Sequence, residues 1–104
     1  MTKKGTDRKS DLLTEKQERT GRPPQFKVVI HNDDYTTMEF VLEVLESVFH
    51  LSPAEAYSVM MKVHQEGIGV AGVYSHEIAE TKASLVMDQA QEEGFPLRAT
   101  VEKE

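Results

Sequence analysis

Hydrophobic and polar residues alternate along this chain with two different periods, which predict three strands and three helices. The stretch QFKVVIH (25–31) is rich in β-branched and aromatic residues and has the length of a strand. IGVAGVYS (68–75) and PLRATVE (96–102) alternate apolar with polar or small residues and indicate two more strands. In the segments between them, apolar residues recur every three or four positions, as helices require. In the first helix these residues are Met38, Val41, Leu45 and Val48.

Capping signals predict where the helices begin and end. Thr36, followed by Glu three positions later, forms a capping box for the first helix. Ser52 is followed by Pro and then by Glu at the third position, which predicts the start of the second helix, and Gly67 predicts its end. The third helix is expected from Ser75 to Gly94, where a glycine suits a left-handed C-terminal residue.

These elements give the order βααβαβ and predict a two-layer α+β sandwich. We expect a three-stranded antiparallel sheet with the three helices on one face. Residues 1–24 differ from the rest because they hold almost no apolar residues beyond Leu12 and Leu13. Such a segment cannot bury a core, so we predict a disordered, flexible N-terminal extension. Pro23 and Pro24 mark its boundary with a single domain at 25–104.

Composition excludes several classes of protein. The chain of 104 residues has no cysteine, which rules out disulfides, thiolate catalysis and cysteine-based zinc sites. The N-terminal sequence MTKKGTDRKS lacks the apolar region of a secretory signal, and no apolar run approaches the roughly 20 residues that cross a bilayer. We therefore expect a cytoplasmic protein with no membrane association.

The charges are distributed unevenly. Residues 1–24 carry seven Lys or Arg against four Asp or Glu, whereas residues 25–104 carry five against fourteen. An acidic body argues against nucleic-acid binding, which selects basic surfaces, and suits a cationic or amine-bearing ligand. A nucleic-acid-associated protein that uses the basic segment is a rival hypothesis, but that segment has mixed charges and lacks aromatic residues.

An acidic turn, Asn32-Asp33-Asp34, separates the first strand from the first helix. Asn and Asp are common in turns because they bond to their own backbone, and negative charge suits a helix N-terminus. Three consecutive groups exceed what capping needs, since Thr36 is expected to cap the helix. Two interpretations remain open, a structural turn or a site for a cation. A small divalent-metal-binding protein is the alternative function, although the spacing of an EF-hand loop is absent.

His64 lies near the end of the second helix, on the apolar stripe shared with Met60 and Val63. A single histidine on such a stripe is most often a core or boundary residue. The other histidines show no metal-ligand spacing with it. The chain also lacks a nucleophile motif and a glycine-rich phosphate loop. We therefore expect neither an enzyme nor a bound cofactor.

Four motifs together resemble one family: NDDYTTMEFV, VMMKVHQEG, GVYSHEIAETK and FPLRATVEK. In the same order, over about residues 22–104, they are similar to the ClpS family of bacterial adaptors of the Clp AAA+ protease. The resemblance implies the same βααβαβ fold and a flexible extension. It implies binding of N-degron proteins, whose first residue is a bulky Leu, Phe, Tyr or Trp, and their delivery to the N-terminal domain of a ClpA-type unfoldase. We expect a monomer.

The resemblance also implies roles for individual residues. The substrate's α-amino group is expected among Asn32, Asp33 and His64, with Asp34 and Thr36 beside the start of the peptide. The residues expected to line the side-chain pocket are Met38, Val41, Met60, Val63 and Leu97. On the third helix, Glu77 and Lys82 match positions that dock on the unfoldase. One departure is Thr37, where the family commonly has proline, and it is expected to loosen the first helical turn beside Met38.

Overall fold

The computed structural model describes residues 23–104, and the extension predicted at 1–24 lies outside them except for Pro23 and Pro24, which are exposed. The elements follow the predicted order βααβαβ. The strands are β1 (Phe26–His31), β2 (Ile68–Tyr74) and β3 (Arg98–Lys103). The helices are α1 (Met38–Ser47), α2 (Pro53–Glu66) and α3 (His76–Glu93). No helix within residues 23–104 is both long enough and apolar enough to cross a membrane.

β1 is the central strand of an antiparallel sheet with the order β2-β1-β3. Val28 and Ile30 of β1 are fully buried and belong to the core formed with the helices. The pairing of β1 with β2 shifts register once, so that the side chains on the other face of β2 are those of Ile68, Val70 and Val73. They are 48%, 41% and 40% exposed. The helices therefore cover one face of the sheet, which confirms the two-layer prediction.

The caps of the second and third helices are confirmed. Ser52 and Glu55 form a reciprocal capping box at the start of α2, and Ser75 accepts a hydrogen bond at the start of α3. Gly67 and Gly94 end these helices with φ of 92° and 81°, a left-handed conformation that glycine adopts at little cost.

The predicted cap of the first helix was wrong by one residue. The N-cap of α1 is Thr37, whose hydroxyl oxygen accepts a 3.1 Å hydrogen bond from the amide of Phe40. Thr36 belongs to the preceding turn, where its hydroxyl donates to the carboxylate of Asp33. Thr37 thus stabilises the first turn of α1 through its side chain, where a proline would act through its fixed φ.

Candidate functional site

A cavity of about 240 Å³ lies where the acidic turn, the start of α1 and the second half of α2 meet. Its lining combines polar groups with apolar side chains. The lining residues are Asn32, Asp33, Asp34, Thr36, Met38, Val41, Met60, Val63 and His64. The structure thus gathers nine of the ten predicted substrate-binding residues around one cavity, although they come from two separate segments of the sequence, 32–41 and 60–64.

The backbone brings the two segments together. The amide of Asn32 donates a 2.9 Å hydrogen bond to the carbonyl of Gly67, beyond the last β1–β2 residue pair. Gly67 also ends α2 and turns the chain directly into β2. The residue after β1 is therefore fixed beside the end of α2, which carries His64.

Asp33 organises the acidic turn through its own side chain. Its Oδ1 accepts hydrogen bonds from the amides of Tyr35 at 2.8 Å and Thr36 at 2.7 Å, and its Oδ2 accepts one from the Thr36 hydroxyl at 2.8 Å. Burial acts to raise the pKa of Asp33, but the hydrogen bonds from Thr36 and Tyr35 outweigh it and lower that pKa below its usual value. Three of about four acceptor positions on the carboxylate are thus occupied within the turn.

Three other polar side chains of the cavity have no hydrogen-bond partner within the part of the chain that the structure describes. Asn32, Asp34 and His64 are exposed. Within residues 23–104, their side chains make no hydrogen bond to another protein group. Together they offer an amide carbonyl, a carboxylate and an imidazole nitrogen, all of which can accept a hydrogen bond. The cavity can therefore bind a positively charged hydrogen-bond donor.

The inner wall of the cavity is apolar. Val41, Met60 and Val63 are 8%, 4% and 3% exposed, so they belong both to the wall and to the core. Met38, the first residue of α1, is 46% exposed and lies at the rim. An aliphatic or aromatic side chain that bound between these residues would move its apolar surface out of water, which is favourable.

The remaining predicted residues lie elsewhere. Leu97 is 5% exposed, lies in the core just before β3 and does not line the cavity. Glu77 is exposed in the first turn of α3, as a docking residue needs to be. Lys82 is half-buried, and its Nζ donates to the carbonyl oxygen of Val48 at 2.6 Å. Docking roles for Glu77 and Lys82 stay predictions.

The acidic turn does not assemble a metal site in the part of the chain that the structure describes. Across residues 23–104, no group of three or more His, Asp or Glu side chains has the geometry to hold a metal ion. The hydrogen bonds of Asp33 explain part of this, because they direct its oxygens into the turn.

Comparison with known proteins identifies the family. Residues 21–100 match the family described as ATP-dependent Clp protease adaptor protein ClpS. The chain is 55% identical to the ATP-dependent Clp protease adapter protein ClpS of Desulfatibacillum aliphaticivorans, over 90% of both chains. It is 52% identical to that of Ruegeria pomeroyi, over 94% of this chain and 87% of the relative. The structure of Agrobacterium tumefaciens ClpS2 bound to L-phenylalaninamide is similar with a TM-score of 0.77 and 47% identity, over 80% of this chain and 100% of that one. The chain therefore belongs to the ClpS family of Clp protease adaptors.

Proposed function

We propose that this protein binds polypeptides through a free α-amino group and a bulky hydrophobic first residue, Leu, Phe, Tyr or Trp, and delivers them to the Clp unfoldase. The observation that carries the proposal is the cavity itself, which combines three hydrogen-bond acceptors that have no partner within residues 23–104 with an apolar wall. The related ClpS2 was solved with L-phenylalaninamide, a molecule with one amine and one benzyl group. Those two groups match the two halves of the cavity.

The polar half suits an α-amine. Such an amine has a pKa of about 8, so it is largely cationic at neutral pH and carries three donors. Asn32, Asp34 and His64 supply three acceptors with no competing partner within residues 23–104. Asp33 contributes mainly by holding the turn, and its fourth acceptor position can still receive the amine. Hydrogen bonds to charged groups contribute about 1.5–3 kcal/mol each, more than neutral ones.

The apolar half selects the first side chain. Burying a Leu or Phe side chain stabilises the complex by roughly 1.5–3 kcal/mol, whereas Ala, Ser or Gly would leave the wall in contact with water. Met38 is 46% exposed and lines the same cavity as the acceptors, which supports a contact with the Cβ of the first residue. A β-branched Ile or Val carries a second substituent at that point, and Met38 would exclude it by steric contact.

Delivery requires a second surface. We propose that α3 docks on the N-terminal domain of a ClpA-type unfoldase around Glu77 and Lys82, and that residues 1–24 take part in the transfer of the substrate. Support comes from the exposure of Glu77 and from the relatives, which are named as Clp protease adapters. α3 begins at the opposite end of β2 from Gly67 and the cavity, so one molecule could bind the substrate and the unfoldase together.

A peptide-binding experiment tests capture directly. Fluorescence anisotropy would compare three peptides of otherwise identical sequence, with a free Phe, an acetylated Phe and a free Ala at the first position. Only the free Phe peptide should bind tightly, because acetylation removes the charge and two donors, and Ala removes the apolar group. Equal binding of the acetylated and free Phe peptides would refute the proposed role of the cavity. Asn32→Ala should weaken the free Phe peptide and leave the acetylated one unchanged.

A further inference from the structure

All the sulfur atoms of the chain belong to its five methionines, because it has no cysteine. Within residues 23–104, two methionines are well exposed, Met38 at 46% and Met87 at 39%. Met60 is 4% exposed in the core, and Met61 is half-buried. A methionine thioether is converted to a sulfoxide when an oxidant reaches it. A dissolved oxidant should therefore react first with Met38 and Met87 in this part of the chain.

The two exposed methionines differ in what surrounds them. Met38 is the first residue of α1 and lines the cavity, whereas Met87 lies in the second half of α3 and does not line it. A sulfoxide replaces a flexible apolar side chain with a polar one. At Met38 the new polar group would share the cavity with the apolar wall of Val41, Met60 and Val63. Met87 offers the same chemistry away from the cavity and serves as an internal control.

A sulfoxide oxygen at this cavity would find few hydrogen-bond donors. The amides of Tyr35 and Thr36 and the hydroxyl of Thr36 already donate to the carboxylate of Asp33. The carboxylate of Asp34 can only accept hydrogen bonds, as a sulfoxide does. A substrate that covered the oxidised side chain would therefore bury a polar group without a partner, which is unfavourable.

We propose that Met38 is a reversible modification site, where oxidation by a hydroperoxide lowers the affinity of the cavity for its substrate. The effect on affinity rests on the proposed function of the cavity. In the reaction, a lone pair of the Met38 sulfur attacks one peroxide oxygen, and the S–O bond forms as the O–O bond breaks. The sulfur loses two electrons to the peroxide, and the leaving oxygen takes up the proton as water or as an alcohol. Methionine sulfoxide reductases restore the thioether, so binding would depend on the redox state.

A bound substrate should protect Met38 from oxidation. The first side chain of the substrate would occupy the cavity that Met38 lines and would limit the access of peroxide to it. Met87 lies outside the cavity, so its oxidation should proceed at the same rate with and without a peptide. Protection that is confined to Met38 distinguishes a methionine of the binding site from one that is only exposed.

Hydrogen peroxide treatment of three proteins tests the proposal: the wild type, Met38→Leu and the matched control Met87→Leu. Leucine is apolar and similar in volume to methionine, but it cannot form a sulfoxide. Mass spectrometry of proteolytic fragments follows each methionine, and the treatment is stopped while Met60 is unmodified. Anisotropy with a free Phe peptide gives the Kd before and after treatment, so each protein is its own reference. Urea unfolding of the same samples measures stability.

We expect sulfoxides at Met38 and Met87 before any at Met60. The free Phe peptide should slow the reaction at Met38, and its acetylated form should not. Oxidation should raise the Kd of the wild type and of Met87→Leu roughly threefold or more, which is about 0.6 kcal/mol. Reductase treatment should reverse this rise. The Kd of Met38→Leu should be the same before and after treatment, and the urea midpoints should not change, because Met38 lies at an exposed position.

The proposal is wrong if Met38 is oxidised no faster than Met60, or if its sulfoxide leaves the Kd unchanged. It is also wrong if peroxide weakens Met38→Leu as much as the wild type, or if the loss of affinity comes with a lower urea midpoint. Failure of the untreated wild type to bind the free Phe peptide would refute the proposed function instead. In that case the mass spectra would still decide whether Met38 is the modification site.

Discussion

The two neighbouring carboxylates of the acidic turn should respond in opposite ways to the same substitution, Asp to Asn. Asp33 accepts three hydrogen bonds within the turn, from two amides at Oδ1 and from the Thr36 hydroxyl at Oδ2. The carbonyl oxygen of an Asn can keep the two amide bonds, but its NH₂ group cannot accept from the hydroxyl. Asp33→Asn should therefore lower the free energy of unfolding by about 1 kcal/mol, the usual contribution of one hydrogen bond.

Asp34→Asn should leave stability unchanged and weaken binding. The side chain of Asp34 is exposed and makes no hydrogen bond to another group within residues 23–104, so the substitution breaks nothing there. It removes the carboxylate that is most available to the substrate amine. A charge-assisted hydrogen bond contributes about 1.5–3 kcal/mol and an exposed ion pair about 0.2–1 kcal/mol. At the open mouth of the cavity we expect about 1–2 kcal/mol, a rise in Kd of roughly 5- to 30-fold.

Urea unfolding and anisotropy with a free Phe peptide measure the two effects on the same samples. The loss in Asp34→Asn should shrink as salt rises, because salt screens an exposed pair. The opposite result would be that Asp34→Asn binds the peptide normally, while Asp33→Asn keeps its stability but binds the peptide poorly. That result would show that Asp33 is the partner of the amine. The turn would then keep its shape without the Asp33 hydrogen bonds, and the stabilising role assigned to them would be wrong.

Four further outcomes follow from the structure. His50→Gly should raise the free energy of unfolding by about 0.5–1 kcal/mol in urea, because the φ of 58° suits glycine. Gly72→Ala should lower it by about 1–3 kcal/mol, since the new Cβ would collide with the Tyr74 ring. Met38→Ala should admit Ile and Val peptides while Leu and Phe peptides still bind, and an unchanged ratio of Kd values would remove the steric role. Because the pKa of Asp33 is lowered, its stabilisation is complete above about pH 4 and is lost as pH falls through the lowered pKa. The Tm of the wild type should therefore fall further on acidification than that of Asp33→Asn.

Local signals predicted most of the fold. The capping box at Ser52 and the glycines at 67 and 94 act over three or four residues, so the sequence alone contains all their partners. The three strands were placed to within two residues of their observed ends. The same kind of reasoning failed at Thr36, because two adjacent threonines could each cap α1. In the structure Thr37 accepts from the amide of Phe40, while Thr36 is part of the turn that Asp33 organises.

Contacts across the sequence were harder to predict. Nothing in the sequence pattern of α3 shows that the Nζ of Lys82 bonds to a carbonyl 34 residues earlier in the chain. Nor does the pattern show that this Nζ lies over the rings of Tyr74 and Phe49. Leu97 illustrates the same limit, because alternation in PLRATVE predicts a buried residue but not which buried surface it joins. The cavity residues were assigned by resemblance to a family, since no spacing rule links Asn32 to His64.

On the proposed function, one residue of the acidic turn holds its shape while its neighbours bind the substrate. This separation explains how an adaptor can bind and still release its substrate. The carboxylate of Asp33 is hydrogen-bonded within the turn, so the site has its shape before a substrate binds. Little ordering of the protein therefore accompanies binding. Asn32, Asp34 and His64 stay exposed, and an ion pair at such a mouth keeps much of its hydration. It therefore avoids the large desolvation cost of a buried pair, but it also contributes modestly. Selectivity then depends on the apolar wall of Val41, Met60 and Val63, whose shape the core fixes. On the proposed function, this arrangement gives strict choice of the first residue with an affinity low enough for transfer to the unfoldase.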